Sequence, residues 1–94
     1  MRVLVVEADP VLAQTLLESL QAHDFEATNA RSSQEAWEVL WSRAFDVLVL
    51  DVMLPEGTDQ GFLLAGQIRE AGFRQPILFL TARENLTDRV RGLR

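Results

Sequence analysis

No cysteine occurs in the chain, so disulfides and thiolate metal sites are unavailable to it. Lysine is absent as well, and all nine basic side chains apart from the one histidine are arginines. Any chemistry that needs a flexible ammonium is therefore excluded from these residues. The apolar runs are too short to cross a bilayer, and no leader precedes the first strand, so a cytoplasmic protein is expected. Positive charge is scarce overall: the net charge of -5 disfavours nucleic acid as a direct partner. The charge is also uneven, with eleven acids against three arginines in residues 1–60 and three acids against six arginines in residues 61–94. What is present suffices for one small domain, since 48% of the 94 residues are apolar and no stretch is of low complexity.

Asp51 is the most informative position. It closes the apolar run Val47-Leu48-Val49-Leu50, which lacks polar alternation and so suits a strand covered on both faces of a parallel sheet. Val52-Met53-Leu54-Pro55 follows, and Glu56 to Gly61 reads as a loop, which leaves Asp51 at the carboxyl edge, where open α/β sheets hold their ligands. A polar residue can also do no more there than end a strand.

The rest of the chain repeats strand and helix. Val3-Leu4-Val5-Val6 forms a first strand, followed by Glu7-Ala8-Asp9-Pro10, with Asp9 as helix cap and Pro10 in the first turn. Leu12, Leu16, Leu17 and Leu20 mark the core face of the first helix, which ends near His23-Asp24. Phe25 to Thr28 is a short second strand, and Ser32-Ser33-Gln34-Glu35 has the spacing of a capping box before a helix carrying Ala36, Trp37, Leu40 and Trp41. Thr58 or Asp59 opens a third helix, with Phe62, Leu63, Ala65 and Ile68 as core candidates and Gly72 as its left-handed stop. Pro76 to Leu80 gives a fourth strand closing on Thr81-Ala82, and Leu86, Val90 and Leu93 begin a fourth amphipathic helix.

Alternating strands and helices imply right-handed crossovers and a doubly wound parallel sheet, which gathers all the strand ends on one edge. Glu7, Asp9, Asp51 and Thr81 would meet there. Clustered carboxylates repel one another, and a hard divalent cation such as Mg²⁺ relieves the repulsion with oxygen ligands. Separately, Glu7 and Asp9 would be a strand end and a cap, and Thr81 a capping hydroxyl. Their coincidence at three strand ends points to a site.

Three segments carry a family resemblance: Val-Leu-Val-Val-Glu-Ala-Asp-Pro at 3–10, Phe-Asp-Val-Leu-Val-Leu-Asp-Val-Met-Leu-Pro at 45–55, and Pro-Ile-Leu-Phe-Leu-Thr-Ala-Arg at 76–83. Together they resemble the receiver domain of bacterial two-component response regulators over the whole of 1–94. Segments 67–72 and 88–93 are similar to those of regulators with a winged-helix DNA-binding output. The resemblance implies a flavodoxin-like fold with strand order 2-1-3-4. It implies that Asp51 accepts a phosphoryl group from a sensor histidine kinase. Mg²⁺ would be held by Glu7, Asp51 and the Met53 main-chain carbonyl, while Thr81, with Ala82 beside it, would bind the phosphoryl oxygen and act as the switch. A DNA-binding output domain or target would lie outside these residues, and the module is expected to be a switch rather than an enzyme.

Three departures qualify that expectation. The family places two adjacent acids after the first strand, but here the second position is Ala8, so Mg²⁺ binding is expected to be weak unless Asp9 supplies the missing ligand. The loop from Glu56 to Gly61 is longer than usual, which alters the rim of the site. Residue 94 precedes the family's fifth strand, with its catalytic lysine, and its fifth helix, so the fold is expected to be truncated at its C-terminus. A bare fourth-strand edge, or the stripe Leu86, Val90 and Leu93, would then favour a homodimer.

Other residues fit ordinary roles. Trp37 suits core packing and Trp41 a helix margin; His23 suits a solvated helix C-terminus, and Arg83, Arg89, Arg91 and Arg94 suit exposed surface. The competing class is a pseudo-receiver, an interaction or dimerisation module with impaired metal binding, for which Ala8 and the missing lysine argue. A phosphatase of the haloacid-dehalogenase type would want a second acid where Met53 stands. A nucleotide binder would want a glycine-rich loop in place of Glu7 to Pro10.

Overall fold

The computed structural model describes residues 1–80. The elements run β1 (Arg2–Val6), α1 (Pro10–Ala22), β2 (Glu26–Ala30), α2 (Ser33–Ser42), β3 (Val47–Asp51), α3 (Gln60–Glu70) and β4 (Ile77–Leu80). The strands form a parallel sheet in the order β2-β1-β3-β4. Strand alternation divides the core between its two faces. Leu4, Val6, Leu48 and Leu50 point into a large cluster with Ala36 and Leu40 of α2 and with Leu64, Ala65 and Ile68 of α3. Val3, Val5 and Val49 point the other way, against Leu16, Leu17 and Leu20 of α1. The fourth helix expected around Leu86, Val90 and Leu93 lies outside the described residues.

Local signals account for the helix boundaries. The Asp9 side chain accepts the Val11 N–H at 3.0 Å with Pro10 in the first turn, and Ser32 accepts the Glu35 N–H at 3.2 Å. Glu35 reaches back to the Arg31 N–H at 3.1 Å, one residue beyond the donor of an ordinary capping box. Gly72 takes φ +99° after α3, as a left-handed stop requires. His23 Nδ1 lies 2.9 Å from the Ser19 carbonyl at the end of α1, in the helix-terminal role expected of it.

Two helix faces and three strand starts differ from expectation; β1 begins one residue earlier, at Arg2, and β4 one residue later, at Ile77. In α1 the buried residue is Ala13, while Leu12 is 41% exposed. In α3 Leu64 is fully buried and Leu63 is 60% exposed, and Phe62 is only half-buried, against Phe79. The rest of each expected face is kept, with Leu16, Leu17 and Leu20 in α1 and Ala65 and Ile68 in α3, and the small residues Ala13 and Gly61 take the first-turn contact, where at Gly61 the backbone of Asp51 and Val52 leaves no room for a side chain. β2 starts at Glu26, one residue later than expected, and extends to Ala30, because its register is set by pairing of Arg2 to Val6 with Glu26 to Ala30.

Candidate functional site at the carboxyl edge

Parallel pairing of β1 with β3 brings Glu7 and Asp51 together, since Val6 pairs with Leu50 and each acid is the next residue along. Glu7 is 2% exposed, and its N–H donates to the Ala30 carbonyl at 2.9 Å. Its Oε2 accepts the Asp9 N–H at 2.9 Å, whereas its Oε1 is buried without a hydrogen-bond partner. Such an orphaned oxygen is destabilising unless a proton or a cation reaches it. Burial is the main cause that raises the Glu7 carboxyl to a pKa of about 7; the Asp9 N–H opposes the shift, and the neighbouring Asp51 carboxyl group adds to it.

Asp51 is half-buried, and its Oδ1 accepts the Met53 N–H at 3.1 Å, which fixes the peptide after the strand relative to the carboxylate. Gly61, in the first turn of α3, packs onto that same segment. Its N–H donates to the Val52 carbonyl at 2.9 Å. A Cβ at position 61 would run into the Asp51 carbonyl oxygen and lie 2.7 Å from the Val52 Cα, so only glycine allows this approach. The sequence shows a glycine at the end of a loop but not the backbone it must accommodate. Asn29 was also missed: its side-chain amide donates to the carbonyls of Val5 and Glu7 at 2.9 Å and 3.2 Å and braces the β1–α1 turn.

The expected residues meet unequally. Glu7, Asp51 and Met53 share the edge, while Asp9 lies beside them with its Oδ1 engaged as the α1 cap. Ala8 contributes no side-chain oxygen, and among the described residues no three acidic or imidazole side chains form a metal cluster. The two carboxylates of Glu7 and Asp51 are donors that suit a hard cation, and the partnerless Glu7 Oε1 is where one would be most favourable. Thr81 and Ala82 lie outside the described residues.

Residues 3–94 match the family described as the response regulator receiver domain. The chain belongs to that family. It is 39% identical over 93 residues to the response regulator MprA of Mycobacterium avium, covering 99% of this chain and 40% of MprA. It is 34% identical over 93 residues to the transcriptional regulatory protein PmrA of Pectobacterium parmentieri, covering 99% of this chain and 41% of that protein. The chain thus spans well under half of these curated relatives. The response regulator TrrA of Thermotoga maritima, solved in complex with Mg(2+)-BeF, matches with a TM-score of 0.80 and 32% identity, over 88% of this chain and 70% of that one. This receiver domain is a signalling module rather than a conventional enzyme, and its relatives include transcriptional response regulators. No helix among the described residues is long and apolar enough to cross a membrane.

Proposed function

We propose that this receiver domain is a phosphoryl-accepting switch in which Asp51 receives the phosphoryl group of a histidine kinase. The observation that carries this reading is the Glu7–Asp51 pair at the carboxyl edge, with a buried carboxylate oxygen of Glu7 left without a partner. In the transfer an Asp51 carboxylate oxygen attacks phosphorus in line; the new O–P bond forms as the P–N bond of phosphohistidine breaks, and the imidazole nitrogen leaves with its electron pair. Glu7, Asp51 and the Met53 main-chain carbonyl would hold Mg²⁺, with Asp9 as the alternative source of a further oxygen, and the ion would supply charge neutralisation on the transferring oxygens. The Met53 N–H bond holds the nucleophile, and burial of Glu7 keeps water from one side of it. Thr81, with Ala82, acts as phosphoryl-binding switch and biases a DNA-binding output, consistent with the transcriptional role in the name of PmrA. Incubation with acetyl phosphate and magnesium should give one adduct that maps to Asp51 and is lost in Asp51→Asn. An adduct elsewhere, or one that persists in the variant, overturns the assignment.

One observation favours a second reading. Ala8 removes a carboxylate from the cation site, as in a pseudo-receiver that signals by binding or dimerising. Of the surfaces that would serve a homodimer, Leu78 on β4 is exposed, and Leu86, Val90 and Leu93 lie outside the described residues. Absence of both magnesium binding and an Asp51 adduct, with a concentration-dependent rise in mass by light scattering, selects this second reading.

A further inference from the structure

The segment between β3 and α3 is anchored at both ends and at a third point far from either. Leu54 is buried in the core shared by α2 and α3. The Gly57 N–H donates to the Leu54 carbonyl at 3.0 Å and the Gln60 N–H to the Gly57 carbonyl at 3.3 Å, so the outer part of the loop is a chain of turns. Glu56, at its tip, leaves the loop and reaches α2. Its Oε2 accepts the Ser33 N–H at 3.1 Å and its Oε1 accepts the Ser33 hydroxyl at 3.4 Å. The Ser33 oxygen in turn accepts from Gln60 Nε2 at 3.2 Å.

Ser33 is the first residue of α2, so its N–H has no acceptor within the helix, and an anionic acceptor there is favoured by the helix dipole. A charge-assisted bond at that position is stronger than a neutral one. Glu56, Ser33 and Gln60 therefore connect the loop, the start of α2 and the first turn of α3. The near end of this loop is the Asp51–Met53 segment, pinned by the bonds of Met53 to Asp51 and of Gly61 to Val52. Glu56 opens the segment 56–61, so that segment carries its own tether to α2.

We propose that Glu56 is a positioning residue: through Ser33 it holds the β3–α3 loop so that the Met53 peptide keeps its place beside Asp51. It thereby sets metal affinity and access of the phosphoryl donor. The metal and donor consequences rest on the phosphoryl-accepting reading above, whereas the loop consequence does not. Glutamine keeps one acceptor oxygen at the same reach for the Ser33 N–H but loses the charge and turns the second oxygen into an amide donor, whereas alanine removes the tether.

The test compares Glu56→Ala, Glu56→Gln, Ser33→Ala and the Glu56→Ala/Ser33→Ala double variant in the intact protein. Without metal, amide exchange at Met53 should quicken by about tenfold in Glu56→Ala. Magnesium affinity should fall by about tenfold, the usual effect of losing a residue that orients a ligand. The acetyl phosphate concentration for half-maximal rate should rise more than the saturated rate falls. Glu56→Gln should recover most of each effect, and Ser33→Ala should be milder than Glu56→Ala, because it keeps the backbone N–H that Glu56 accepts; the double variant should exceed Glu56→Ala only by the loss of the Gln60–Ser33 bond. Unchanged Met53 exchange in Glu56→Ala overturns the proposal, even if the melting temperature drops, since Glu56 then only caps α2. If wild-type protein gives no Asp51 adduct or binds no magnesium, the phosphoryl-accepting reading fails, and Met53 exchange alone decides the role of Glu56.

Discussion

At the scale of the residue, position 8 controls the site by what it omits. Glu7 is held in place by the Asp9 N–H and Asp51 by the Met53 N–H, so two carboxylates are arranged for a cation, while the neighbouring Asp9 carboxylate is engaged as the α1 cap. Ala8→Asp should tighten magnesium binding by about tenfold or more, because affinity at hard-cation sites follows ligand charge and number. Calorimetry on the two proteins checks this; equal affinities would mean that Asp9 or water already fills the position. The meeting of Glu7 and Asp51 at one edge was legible in the sequence because both stand at strand ends, which are readable from apolar runs, whereas Met53 entered only through the family resemblance. Gly61 and Asn29 were not, since what they touch is the backbone of a neighbouring element, and neighbours across a sheet leave no local pattern.

At the scale of the element, the three helices share one rule that the sequence only partly reveals. Each sets a small residue near its N-terminal end against the sheet, Ala13, Ala36 and Gly61, and in α1 and α3 the buried or half-buried face then runs i, i+3, i+4, i+7. Counting only large apolar side chains selects Leu12 and Leu63 instead, one position away, because side-chain size cannot show how closely a helix approaches its strand. The consequence is measurable. Leu64→Ala should destabilise the fold by about 2–5 kcal/mol, whereas Leu63→Ala should change it by no more than about 0.5 kcal/mol, as judged by urea denaturation. Caps and stops were readable throughout, since Asp9, Ser32 and Gly72 act within a few residues of themselves.

At the scale of the whole molecule, Glu7 links the site to folding. Its carboxyl titrates near 4.5 in the unfolded chain and near 7 in the folded one, so between those values the folded state holds a proton that the unfolded state has released. Stability of the metal-free protein should therefore fall as pH rises from about 4.5 to about 7, with no penalty below that window and the full penalty above it. Magnesium competes with the same proton, so its affinity should rise with pH across the window and its presence should flatten the stability curve. Denaturation midpoints at about pH 5 and about pH 8, with and without magnesium, check both signs, and Glu7→Gln should abolish the slope. At the opposite end of the fold, Trp41 is largely exposed and stacks on Trp37 with ring centroids 6.1 Å apart, and it meets Phe73 at 5.2 Å. These are the chain's two tryptophans. Its intrinsic ultraviolet emission thus arises from a single helix remote from the carboxylates, and a change in that emission when a small ion arrives registers movement of α2 against the α3–β4 connection, not quenching by the ion.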